Sequence, residues 1–115
     1  IFKKFSIKEG SPDGMTLDKN KNLWVAHFHG SCISVFNKKS KLIHKIRFPV
    51  KNITNCTFGG KNNKEIFVTT AKKSISKPEL RKNVFSGSLF IVKSNIKGFT
   101  QKKFILSNAK KRLIL

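Results

Sequence analysis

The stretch SPDGMTLDKNKNLWVAHFHG, Ser11 to Gly30, decides the fold. Leu23–Phe28 is an apolar run of strand length, and Met15–Asp18 is a shorter alternating run before it. Ahead of both, Pro12-Asp13-Gly14 has the residues of a tight turn: proline presets φ, aspartate bonds its own backbone, and glycine accepts positive φ. The arrangement recurs downstream. MTLDKNKNLWVAHF (15–28) aligns with CTFGGKNNKEIFVTTA (56–71) at an offset of 41 residues, which grows to 43 after a two-residue insertion. Met15 then meets Cys56, Leu17 meets Phe58, Leu23 meets Ile66, Trp24 meets Phe67 and Val25 meets Val68.

Further strand signals fall at Phe2–Ile7, Cys32–Phe36, Leu42–Phe48, Asn55–Phe58, Glu65–Thr70, Ser88–Lys93 and Lys102–Ile105, with turn clusters between them. The one helical signal is Ser76-Lys77-Pro78-Glu79-Leu80, where Ser76 caps and Glu79 completes a capping box. A repeat of roughly 40–45 residues with four strands per unit marks propeller blades. Residues 13–49 are one predicted blade and 53–107 a second, with Phe2–Ile7 the outer strand of a third. On this reading 1–107 is propeller and 108–115 a tail. A propeller closes with about four blades or more, so the fold class is all-β, a fragment of a propeller.

The 115 residues carry a net charge of +20, which first suggests nucleic acid. Lysine supplies 22 of the 25 cations, however, and arginine only Arg47, Arg81 and Arg112. Base readout favours arginine's planar fork. Lys, Asn, Ile and Phe share AT-rich codons, so base composition of the genome explains the charge without a polyanionic partner. The eleven phenylalanines fall mostly at blade-packing positions rather than forming a stacking platform. No nucleic-acid partner is expected. No apolar run approaches the roughly 18 residues of a membrane span, so no membrane partner is expected either. Cys32 and Cys56 both fall in predicted strands, which suggests buried free thiols and a reducing, cytoplasmic setting.

Taken in order, SPDGM, LWVA, the long strand ending in Pro49, TNCTFGG (54–60), EIFVTT and GSLFIVK closely resemble the C-terminal part of the regucalcin (senescence marker protein) and gluconolactonase family. The resemblance covers roughly residues 6–93. It implies a six-bladed β-propeller holding one divalent cation, Ca2+ or Zn2+, in its central channel, and hydrolysis of a small-molecule lactone or ester. It also implies that the aspartate of Pro-Asp-Gly, here Asp13, is a metal ligand. Asp13 is then the candidate catalytic residue too, as the base that takes the proton of the attacking water. In isolation Asp13 reads as a turn residue, and the two roles are compatible. The family's other metal ligands lie upstream of anything here, so N-terminal blades of the same protein are the implied partner, and this piece alone is expected to be inactive.

Other candidates are weaker. Thr54 and Asn55 stand where Asp13 stands in the preceding blade, so the resemblance places them at the channel mouth. His27 is a further channel candidate. His27 and His29 form an H-x-H on one predicted strand face, but no third ligand accompanies them. His29-Gly30 replaces the family's Gly-Gly. Asp18 reads as a hairpin-turn residue, and Glu9, Glu65 and Glu79 as surface or capping residues. The leading function is a lactone hydrolase. The alternatives are a non-catalytic propeller for calcium handling or protein contact and, behind it, a basic nucleic-acid binder.

Overall fold

A computed structural model describes residues 1–102. Two antiparallel sheets account for its regular structure. The first runs in the order β1 (Ser11–Leu17), β2 (Leu23–Phe28), β3 (Cys32–Phe36) and β4 (Leu42–Arg47). The second runs β5 (Ile53–Gly59), β6 (Glu65–Thr70) and β7 (Leu89–Lys93), with α1 (Lys77–Lys82) on the β6–β7 connection. The first sheet is the predicted first blade. The second begins as predicted, but residues 103–105 of its fourth predicted strand and the 108–115 tail lie outside the described residues.

The internal repeat is a repeat of register. Met15 pairs with Val25 and Leu17 with Leu23, while Cys56 pairs with Val68 and Phe58 with Ile66. Both pairs of strands therefore point equivalent residues at equivalent faces. Trp24, Ala26, Ile33 and Val35 of the first sheet meet Ile53, Cys56, Ile66 and Val68 of the second in one core. Trp24 lies edge-on to Phe58 at 5.0 Å, and Phe48 meets Phe90 at 5.6 Å. Trp24 is core between the two sheets.

Three expectations are corrected. Phe2–Ile7 is not a strand: residues 1–6 are irregular and Ile7–Glu9 is a 3-10 turn. Phe2 and Phe5 instead pack edge-on against Phe36, and Phe5 against His27, on the face of the first sheet away from the core. Their spacing of three suits one face of an irregular segment, not a period of two. Second, Pro12-Asp13-Gly14 is not a turn before the strand but lies within β1. Pro12 has no amide to donate, which an edge strand with a bulge tolerates. Third, His29 is not on β2 beside His27: it follows the strand with φ 65°.

Asp18 does more than sit in a turn. Fully buried, its carboxylate accepts from the amides of Asn20 (2.8 Å) and Asn22 (2.9 Å), from Asn22 Nδ2 (2.9 Å) and from Trp24 Nε1 (3.1 Å). One side chain thus closes the β1–β2 hairpin and satisfies the indole at the centre of the core. Both cysteines are free and buried, as the sequence suggests. Burial pushes the Cys56 thiol up to about 12, and its Sγ lies 3.8 Å from the Trp24 carbonyl oxygen it donates to.

Two outcomes follow. Asp18→Ala leaves the Trp24 indole N–H buried without an acceptor and lowers unfolding free energy by roughly 3 kcal/mol. Urea titration followed by the fluorescence of this single tryptophan measures it. For Cys56, the folded thiol keeps its proton to higher pH than the unfolded one, so its contribution is complete below pH 9.0 and is lost between there and about 12. In that window stability falls by about 1.4 kcal/mol per pH unit more than it does in Cys56→Ala; equal slopes would contradict the assignment.

Candidate functional site

The hairpin connectivity sorts the chain into two rims. The start of β1, the β2–β3 hairpin, the β4–β5 link, the start of β5 and the β6–β7 connection all share one rim. Asp13, Thr54 and Asn55 are on it. β1 and β5 each begin a sheet and pack beside one another.

Both strands are bulged at the same place. Pro12 pairs with His27 and Met15 with Val25, so Asp13 and Gly14 together face one residue, Ala26. Ile53 pairs with Thr70 and Asn55 with Thr69, which makes Thr54 the extra residue of β5. Such a bulge twists the strand and re-aims the side chain at the insertion. Asp13 and Thr54 are therefore structural equivalents, as their repeat positions imply.

Their environments differ. The chain has 25 lysines and arginines and five carboxylates. Glu9 pairs with Lys3 and Glu79 with Lys51. Asp13 is exposed, and among the described residues its carboxylate has neither ion pair nor hydrogen bond. Thr54 Oγ1 shares a hydrogen bond with Thr69 Oγ1 at 2.7 Å, and Asn55 Oδ1 accepts from the Cys56 amide at 2.8 Å. Asn55 lies against Gly14, where an added Cβ would stand 2.7 Å from the Asn55 Cα. The structure thus brings Asp13 and Asn55 to neighbouring positions on adjacent inner strands.

His27 is elsewhere. Fully buried on the face covered by Phe5, it stands 2.7 Å from the Glu9 carbonyl through Nδ1. A carbonyl only accepts, so Nδ1 is the protonated nitrogen, and Nε2 is enclosed with no partner among the described residues. The ring fixes the approach to β1, since Glu9 lies two residues before Ser11.

Asn52 carries no motif and was invisible to sequence reasoning. It is fully buried; its Oδ1 accepts from the His29 amide (3.1 Å) and its Nδ2 donates to the Lys73 carbonyl (2.7 Å). It fastens the β2–β3 hairpin to the β6–β7 connection across the rim.

As a cation site the donor set fits in part. Asp13 offers a hard oxygen ligand of the kind divalent ions take, but among the described residues no group of three or more His, Cys, Asp or Glu is gathered. The family model for the SMP-30/Gluconolactonase/LRE-like region matches residues 1–72. The chain belongs to this family.

Within it, the Bacillus subtilis (strain 168) protein named "Putative sugar lactone lactonase YvrE" is 38% identical over 99 residues, covering 84% of this chain and 33% of that protein. Regucalcin from Homo sapiens is 34% identical over 88 residues, 76% of this chain and 29% of regucalcin. A solved regucalcin from Agrobacterium tumefaciens, named a calcium-binding protein, superposes with a TM-score of 0.80 at 21% identity, over 85% of this chain and 33% of that one. A luciferin-regenerating enzyme superposes with a TM-score of 0.72 at 32% identity, over 87% and 34%. These are propellers, and the two sheets are propeller blades. The chain spans about a third of the length of the relatives it matches.

Gly14 gives the site a test. Gly14→Ala drives a methyl into the Asn55 backbone and separates the inner strands. It costs about 1–3 kcal/mol in denaturant unfolding, whereas Gly87→Ala, which meets only the flexible Lys72 side chain at 3.2 Å or more in a positive-φ turn, leaves the β1–β5 contact intact in amide chemical shifts.

Proposed function

We propose that the protein carrying this chain hydrolyses a small-molecule lactone or related ester with the aid of one divalent cation, calcium or zinc, and that Asp13 is both a ligand to it and the base in the reaction. The supporting observation is the Asp13 carboxylate, presented on a bulge of an inner strand and, among the described residues, left without ion pair or hydrogen bond in a chain rich in cations. The lactonase naming within the family supports the reaction class.

When bound, a divalent cation supplies Lewis acidity toward a carbonyl and toward water. The chain's own part is positional. The bulge holds Asp13 at the rim, where a carboxylate oxygen can take a proton from water as that water adds to the lactone carbonyl carbon. The ring C–O bond then breaks and the alkoxide oxygen recovers a proton, giving a hydroxy acid. Asn55 neighbours this position, and Thr54 stands beside it as a further channel-lining residue.

The rest of the ring is proposed to come from further blades of the same protein. Leu89 (59% exposed), Ile91 (57%) and Phe67 occupy the outer face of the second sheet. Phe67 is the repeat equivalent of Trp24, which buries against the next blade in the first sheet. A non-catalytic calcium-binding propeller is the second reading, favoured by the naming of the Agrobacterium relative.

Asp13→Ala in the protein should reduce hydrolysis of glucono-lactone by about 10²–10⁴-fold and weaken cation binding measured by calorimetry. Circular dichroism should be unchanged, because no group among the described residues bonds this carboxylate. Retention of both activities overturns the assignment, and cation binding without turnover in the unmodified protein selects the second reading.

A further inference from the structure

A cavity of about 580 Å³ opens on the same rim as Asp13, but Asp13 is not in its walls. Phe48 and Val50 of the β4–β5 link, both buried, form an apolar floor. One wall is the β2–β3 hairpin, where His29 and Ser31 hold φ of 65° and 54° around Gly30. Non-glycine residues in the left-handed region are strained and persist where surrounding structure over-determines them. Here Asn52 Oδ1 binds the His29 amide and the Lys51 carbonyl accepts from the Ser31 amide at 3.0 Å. The facing wall is α1 and its exit, with Lys82 exposed and Val84 and Phe85 69% and 56% exposed at the lip. The Lys51–Glu79 pair, 3.0 Å apart, ties the two sides together. The hydrogen bond and charge of Lys51, with Ser76, hold the Glu79 carboxyl below its usual range, so the pair stays ionised and self-neutralising.

Three features remain for a ligand: an apolar floor, apolar residues held at an open lip, and one ammonium, Lys82, with no ion-pair partner among the described residues. Pockets of this size suit small organic molecules. We infer that this cavity is a binding site for a small amphiphilic carboxylate, its apolar body between Phe48 and Phe85 and its anionic head toward Lys82. His29, which stands where the family resemblance has glycine, adds a ring to the wall and distinguishes this cavity from a glycine-lined one. The inference does not rest on the lactone reading, because binding here and hydrolysis are read by separate measurements.

The probe is sodium hexanoate, titrated into the full chain at constant ionic strength and followed by amide chemical shifts, with sodium acetate and hexan-1-ol as comparators. Hexanoate should shift Ser31, Asn83 and Phe85 together and bind several-fold more tightly than either comparator. Lys82→Ala should weaken it about two- to fivefold, Lys82→Arg should restore it, and Phe85→Ser should weaken it while leaving acetate unaffected. Lys38→Ala, on a hairpin at the other rim, should change nothing. Equal losses from Lys82→Ala and Lys38→Ala would mean only non-specific attraction to a cationic protein. Equal affinity for acetate and hexanoate, or shifts confined to other residues, would likewise overturn the inference.

Discussion

The inner strands β1 and β5 can lie side by side only because position 14 has no side chain where the backbone of Asn55 passes. That contact sets the distance between the two sheets at the rim where both strands are bulged. Asp13, the residue before the glycine, is exposed in the same bulge. Proline before and glycine after are the requirements of this geometry: the first needs no partner for a missing amide, the second leaves room. The carboxylate at the rim and the packing of the blades are thus two consequences of one short segment.

The pairing of the blades was legible because their hydrophobic positions repeat with a fixed register. Aligning Met15 with Cys56 and Trp24 with Phe67 already orders which side chains share a face. What failed was local reading where tertiary packing decides. Phe2–Ile7 has strand-like composition but no neighbouring strand to pair with in the described sheets, so its aromatics serve as a cover on Phe36 and His27. Pro-Asp-Gly has turn composition, yet a bulge places the same residues inside a strand. Asp18 does hold its hairpin turn, as read, but its further bond to the Trp24 indole was not legible because that donor lies six residues away on the next strand.

The candidate site was legible in proportion to how local its signals are. Asp13 stood out through a contiguous motif and the family resemblance, and Thr54 and Asn55 through the repeat. Asn52 had no signal, because its two partners, His29 and Lys73, are 23 and 21 residues distant and polar residues in links are common. The cavity beside the site was equally silent: its walls come from three separate connections and exist only once Asn52 and the Lys51–Glu79 pair join them.

The charge of the chain is also reorganised by topology. Lys19, Lys21, Lys38, Lys39, Lys41, Lys61 and Lys64 all lie on hairpins at the rim opposite Asp13, and Lys93 ends β7 there. Strands of this length separate the rims by about 20 Å, well beyond the roughly 8 Å screening length at physiological ionic strength. Those eight lysines therefore act weakly on a cation at Asp13. Lysines on the Asp13 rim are fewer, and one of them, Lys51, is neutralised by Glu79. What composition alone presents as a uniformly basic protein is, once folded, basic at both rims, with eight lysines at the far one and, at the near one, the cations of the β6–β7 connection beside the Asp13 carboxylate.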